Sequence, residues 1–159
     1  MFSRGSSSAR NEQILARNPK ARHDYHIMET WEAGLVLSGS EIKSVRARKV
    51  SLKGAYGILR RGEIWLEGMS ITPYEFGGYA NHERQRPRKL LMHRREIRRL
   101  IGAVEQQGNA LVPLDIHLSD GYAKVTMALG KGKKLHDKRE TLKRKDAERE
   151  IARTLKRRR

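Results

Sequence analysis

The chain has 159 residues, of which 35 are lysine or arginine and 18 are acidic, for a net charge of +17. Self-repulsion of that size opposes compaction unless a polyanion neutralises it, and nucleic acid, whose neutralisation releases condensed counterions, is the first candidate. Cysteine is absent, which excludes disulfides, thiolate catalysis and cysteine-based zinc sites, and no run approaches the roughly 18 apolar residues of a spanning helix.

Hydrophobic residues make up 37% of the chain, against roughly 45–50% in ordinary globular domains, so one core with polar extensions is expected. Residues 1–17 open on a Ser/Gly/Arg stretch, Met1 to Arg10, that predicts a disordered extension and lacks the apolar centre of a signal peptide. From Tyr25 to Leu37 the pattern predicts a long strand bent at Gly34. Ser40 to Arg46 reads as a short helix, with Ser40 as N-cap and Ile42 and Val45 at helical spacing. Ala55–Leu59 and Glu63–Ile71 flank Arg60-Arg61-Gly62 as a hairpin. Lys89 to Met92 is a short strand, and His93 to Gln107 a helix with Ile97, Leu100, Ile101 and Val104 on one face and Gly108 beyond its end. Ala110–Leu118 and Tyr122–Leu129 form a second hairpin around Ser119-Asp120-Gly121.

These elements predict a mainly β fold: an OB-like closed barrel over residues 18–130, flanked by two or three helices, including those near 40–48 and 93–107. The OB fold is also a recurrent nucleic-acid platform. Residues 131–159 hold fourteen basic and five acidic residues. Asp137 and Glu140 resemble a capping box, and Ala147, Ile151 and Leu155 make a narrow apolar stripe. A stripe so thin predicts a basic tail that is disordered when free and helical when bound.

Several features suit RNA. Lys131-Gly132-Lys133-Lys134-Leu135-His136-Asp137-Lys138-Arg139 reads as a basic arm that tracks phosphates. Arg84, Arg86, Arg88 and Lys89 alternate around Pro87 so that several cations face one side. Glu41 either accepts from base edges or pairs within the protein. Tyr25, Tyr56, Tyr74 and Tyr79 are candidates for stacking or packing, and Trp31 and Trp65 are expected in the core. The six histidines form no metal-ligand spacing, and no nucleophile elbow is present. No catalytic residue, metal or cofactor is expected. A generic ribosomal or single-strand-binding protein and a basic peripheral membrane protein remain as alternatives.

Six segments carry a resemblance. They are Asn18-Pro19-Lys20-Ala21-Arg22-His23-Asp24-Tyr25, Gly39-Ser40-Glu41-Ile42-Lys43-Ser44-Val45-Arg46, Ile71-Thr72-Pro73-Tyr74, Arg86-Pro87-Arg88-Lys89-Leu90-Leu91, Leu111-Val112-Pro113-Leu114 and Gly132-Lys133-Lys134-Leu135-His136-Asp137-Lys138-Arg139. In this order they resemble the SmpB family, the SsrA-binding proteins that partner transfer-messenger RNA in bacterial ribosome rescue. The resemblance implies a cytoplasmic, non-enzymatic protein that binds the tRNA-like domain of transfer-messenger RNA and completes its mimicry of a tRNA. Alanyl transfer-messenger RNA then arrives with elongation factor Tu at a stalled 70S ribosome.

Carried over by position, the RNA surface would comprise Asn18, Lys20, Arg22, Tyr25, Glu41, Lys43, Arg46, Arg88, Lys89, Leu91 and His93. The resemblance moves Glu41 from an internal pairing to the RNA face. Lys131, Lys133, Lys134, His136, Asp137, Lys138 and Arg139 would occupy the small-subunit decoding centre and the empty mRNA channel, with Ile151 and Leu155 supporting a bound tail helix. The chain departs from the family pattern at Arg48, where many members have glycine and which puts a left-handed helix cap in doubt. It departs also at Met92 for leucine, at His93 for asparagine, and at Gly130, where alanine is common and a looser junction between barrel and tail is expected.

Overall fold

The computed structural model describes residues 13–78, 81–106, 108–133 and 135–157. The chain runs β1 (Gln13–Arg17), α1 (Pro19–Asp24), β2 (Tyr25–Leu35), α2 (Gly39–Arg46), β3 (Val50–Ser51), β4 (Tyr56–Arg60), β5 (Glu63–Glu67) and β6 (Ser70–Ile71). It continues through β7 (Arg88–Leu91), α3 (Arg94–Val104), β8 (Asn109–Ser119), β9 (Tyr122–Gly132) and α4 (Leu135–Arg157). Six strands pair in the order β8-β4-β5-β7-β2-β9, and β9 returns to β8, so the sheet closes into the expected barrel.

Turn chemistry sets the two hairpins. Asp120 and Gly121 both have positive φ, 50° and 82°, as do Arg61 and Gly62 at 51° and 74°; paired left-handed residues match the right-handed twist of the flanking strands. Closure needs a close approach where β4 meets β8 at Gly57↔Leu111. A Cβ on Gly57 would lie 2.9 Å from Leu111 Cβ and 3.0 Å from Met127 Cε, so only glycine fits there.

Inward positions alternate with outward ones and build the main core, which includes Ile64, Leu66, Met69, Leu90, Ile116, Val125 and Met127. Trp31 packs against this core. Trp65, expected inside, faces outward, because Ile64 and Leu66 on either side of it take the inward positions of β5. A smaller cluster of Ala21, Val112, Leu114 and Ala128 seats α1 on the barrel.

The last five residues of the extension expected to be disordered, 13–17, are instead a strand. Residues 13–17 form β1, which pairs with β8 from Gln13↔Leu118 to Arg17↔Asp115. Leu15 drops into the core at that edge, and its burial favours the strand despite polar neighbours. Residues 1–12 lie outside the described ones.

Helix α2 is capped two residues earlier than expected. Ser38, not Ser40, is the N-cap, and it forms a reciprocal capping box with Glu41. At its other end Arg48 has φ 63°, with Arg48 N donating to Val45 O at 3.0 Å and Lys49 N to Ser44 O at 3.0 Å. That is a Schellman pattern. The left-handed cap therefore survives with arginine, whose Nη1 donates to Ile14 O at 3.0 Å and ties α2 to β1.

The tail, expected to be disordered when free, is helical here over 23 residues. Residues 133–159 contain neither glycine nor proline and are rich in good helix formers. The described side chains from Leu142 to Lys156 are all exposed. It touches the body at α1.

Candidate nucleic-acid interface

The sequence-predicted RNA residues fall at two ends of the barrel. Tyr25 and Gly34 lie nine residues apart on β2, roughly 30 Å at the rise of an extended strand. Beside Gly34 lie Arg46 and Leu91, with Lys89 on the same strand as Leu91, His93 just after it, and Lys43 on α2 with Arg46. Around Tyr25 gather Asn18, Lys20 and Arg22, together with the root of the tail.

At the Gly34 end, α2, the start of β9 and Leu91 enclose a cleft of about 560 Å³. Its lining combines apolar Leu35, Ile42 and Leu91 with cationic Arg46 and Lys124. Leu91 and Tyr122 are exposed at 55% and 72%, unusual for residues so large beside a cleft. Arg46 Nη2 donates to Gly121 O at 3.2 Å, holding the β8–β9 turn against α2. Lys43 Nζ sits 5.1 Å over the Tyr74 ring, and Phe76 meets that ring edge-on at 5.6 Å. His93 is the exposed N-cap of α3 and makes no capping bond. Lys89 Nζ donates to Glu63 Oε1 at 2.9 Å. Sequence reasoning missed Tyr122 and Lys124. The Asp-Gly turn beside them was the available signal, since it presents its flanking residues at a barrel rim.

Two residues assigned to the RNA surface do not reach it. Glu41 and Arg88 are both 0% exposed and pair with each other, Arg88 Nε donating to Glu41 Oε2 at 2.6 Å. Arg88 also donates to the carbonyls of Met69 at 2.8 Å, Glu83 at 3.2 Å and Arg84 at 3.3 Å. Glu41 accepts from Ser38 N at 2.9 Å and from Arg86. Burial pushes the Glu41 carboxyl up, but bonds from Arg86, Ser38 N–H and Arg88 outweigh it and bring the group from 4.5 to about 2. The pair thus braces α2 against β7 and the 72–87 loop. His82 reinforces that brace, with Nδ1 2.9 Å from Ser40 Oγ and Nε2 3.0 Å from Ile71 O.

At the Tyr25 end the contacts are short and local. Asn18 Nδ2 donates to Pro113 O at 2.9 Å, and Asn18 N to Leu114 O at 2.8 Å, so this side chain fixes α1 to β8. Lys20 and Arg22 are exposed. Tyr25 lies across Gly130, where a Cβ would come within 2.8 Å of Tyr25 Cβ and 3.2 Å of its Cγ. Gly130 therefore seats an aromatic ring rather than loosening the junction. A pocket of about 350 Å³ opens here among Asn18, Lys20, Tyr25, Lys53 and Tyr56.

The tail leaves from this end. Lys133 N donates to Asp24 O at 2.9 Å and Lys133 Nζ to Arg22 O at 3.0 Å, while Lys131 is exposed. His136, Asp137, Lys138 and Arg139 fall in the first two turns of α4. Lys134 lies outside the described residues. Ile151 and Leu155 are exposed at 61% and 62%.

On the barrel wall, a third polar cluster centres on buried His117. Its Nδ1 is 2.8 Å from Asp115 Oδ1 and its Nε2 2.9 Å from Glu32 Oε2. The Asp115 bond, against burial and with help from Glu32, raises the imidazole above its ordinary range. Among the described residues, no three His, Asp or Glu side chains are placed to hold a metal ion, and no helix is long and apolar enough to cross a membrane.

The family model described as SmpB protein matches residues 15–157. The chain belongs to the SmpB family. It is 55% identical over 152 residues to the SsrA-binding protein of Trichormus variabilis, covering 95% of this chain and 98% of that one. It is 56% identical over 143 residues to the SsrA-binding protein of Bacillus licheniformis, covering 90% and 91%. A solved chain from a structure described as "tmRNA-SmpB: a journey to the center of the bacterial ribosome" is 52% identical. It superposes with a TM-score of 0.63 over 75% of this chain and 84% of that one. Membership covers both ends of the barrel and the tail.

Proposed function

We propose that the protein binds transfer-messenger RNA and serves trans-translation on stalled bacterial ribosomes, in the cytoplasm. The cleft end, with Lys43, Arg46, Lys89, Leu91 and His93 joined by Tyr122 and Lys124, holds the tRNA-like domain. Glu41 and Arg88 act behind it as positioning residues. The observation that carries the reading is the separation of two cationic ends by the length of β2 in a member of this family. A protein that completes a tRNA shape must touch the RNA at one end and the ribosome at the other.

The Tyr25 end, with Asn18, Lys20 and Arg22, faces the small-subunit decoding centre. From it the tail carries Lys131, Lys133, Lys134, His136, Asp137, Lys138 and Arg139 past that centre into the empty mRNA channel, where Ile151 and Leu155 support its helix. Elongation factor Tu joins through the alanylated RNA rather than through this chain. The contribution is binding and shape, not bond making.

Removing the cleft cations and removing the tail separate the two ends. Arg46→Ala with Lys124→Ala is expected to weaken binding of the tRNA-like domain by about tenfold or more. Deleting residues 135–157 is expected to leave that affinity within about twofold while abolishing tagging on ribosomes stalled at a message end. Loss of RNA affinity on deletion of the tail would refute the division between the ends.

A further inference from the structure

We infer that the groove between α3 and the β4–β5 turn is a second RNA contact, one that grips duplex phosphates beyond the cleft; the inference rests on the RNA-binding reading above. The groove measures about 580 Å³, and Arg61 lines it together with Arg94 and Arg98 of α3. Its apolar lining comes from Met92, Ile97 and Ile101. One carboxylate, Glu63, shares the lining, and Lys89 Nζ neutralises it at 2.9 Å. Among the described residues, Arg61, Arg94 and Arg98 are exposed and have no ion-pair partner. A neighbouring arginine that needs only a structural role has one: Arg99 pairs with Glu29.

Arg61 adds a local argument. It occupies the first left-handed position of the β4–β5 turn, at φ 51°, where asparagine, aspartate or glycine is preferred. A long cation held in that conformation at a turn tip gains nothing for the hairpin, and such strained positions cluster at functional sites.

The lining chemistry selects the ligand class. It contains no aromatic ring, so it lacks the stacking platform that single strands and splayed bases use. Arg94 and Arg98 stand one helical turn apart, about 6 Å along the axis, on the scale of successive phosphates in one strand. Guanidinium groups so spaced grip phosphate oxygens in bidentate fashion, and duplex RNA is read chiefly through backbone and shape. Continuity places the groove on the RNA path, because Leu91 lines both the cleft and the groove. An RNA seated in the cleft reaches the groove by crossing that side chain.

The test uses the full chain and two probes, a tRNA-like domain transcript and a plain RNA hairpin of about 16 base pairs. For Arg61→Ala/Arg94→Ala/Arg98→Ala, affinity for the hairpin is expected to fall about tenfold in 0.1 M salt. The slope of log affinity against log salt should flatten by about three, and a parallel loss should appear on the tRNA-like domain. Lysine at the same three positions should restore the slope. Hairpin binding with unchanged affinity and slope in the alanine variant would overturn the inference. If the unaltered protein shows no preference for the tRNA-like domain over the hairpin, the functional reading fails, and the hairpin measurement still decides the groove.

Discussion

Glu41 sits between two guanidinium groups with no exposed atom, and its carboxyl titrates at about 2 instead of 4.5. A carboxylate held down in the folded state contributes stability that is complete above its unfolded value. That stability is lost as pH falls from about 4.5 toward about 2. The shift corresponds to about 3 kcal/mol. Urea unfolding of the wild type should therefore weaken over that window by more than Glu41→Gln does. At pH 7 the variant should be less stable by on the order of 3–5 kcal/mol, because Arg88 is left buried without its partner. Equal acid limbs in the two proteins would show that Glu41 is not the group responsible. Arg88→Glu would place two carboxylates together at zero exposure and is expected to prevent folding. Read as a residue in a sequence, Glu41 had two open partners, and nothing in spacing said that Arg86 and Arg88, more than forty residues on, would close around it.

Among the elements, hairpins were foreseen where turn chemistry is local: Asp120, Gly121 and Gly62 adopt the left-handed conformation their types favour, and Arg61 is carried into it beside Gly62. Strand β1 was not, because its single buried residue, Leu15, gives no periodicity to read. Trp65 lies in an apolar strand run but between the inward Ile64 and Leu66, so the period of the strand sets its face. The β2–β9 pair holds the clearest element-scale prediction. Gly130 lies opposite Ile27 in the ladder, and Gly132 opposite Tyr25, and the Tyr25 ring fills the space that a Cβ on Gly130 would need. Gly130→Ala should destabilise the barrel by about 1–3 kcal/mol through overpacking. In a Tyr25→Gly background, which removes the Tyr25 Cβ as well as the ring, the same substitution should cost far less, a coupling that a double-mutant cycle in urea measures directly. Additive effects would mean that the ring and the glycine do not share this space. The consequence reaches function, because displacing Tyr25 disturbs the pocket it shares with Asn18, Lys20, Lys53 and Tyr56.

For the whole molecule, the two-ended arrangement was within reach of the sequence only in part. The length of β2 was visible, and with it the distance from Tyr25 to Gly34, but which loops gather at each end depends on barrel closure through β8, which pairing alone decides. The tail poses the remaining question of scale. Helix α4 is 23 residues long, about 35 Å, and exposes its described side chains on every side. A helix that buries almost nothing draws its stability from propensity and end effects, not from tertiary packing. It should therefore melt independently of the barrel, over a broad range and at lower temperature, and like-charge repulsion should make its helix content rise with salt. Heating the full chain while following helical circular dichroism and tryptophan fluorescence separates the two, since Trp31 and Trp65 both lie in barrel strands. Removing residues 135–157 should shift the barrel midpoint by no more than about 2 °C. A single coincident transition, or a larger drop on truncation, would mean that the tail is docked as part of one cooperative unit. It would then have to be pulled from the barrel before it could enter a channel.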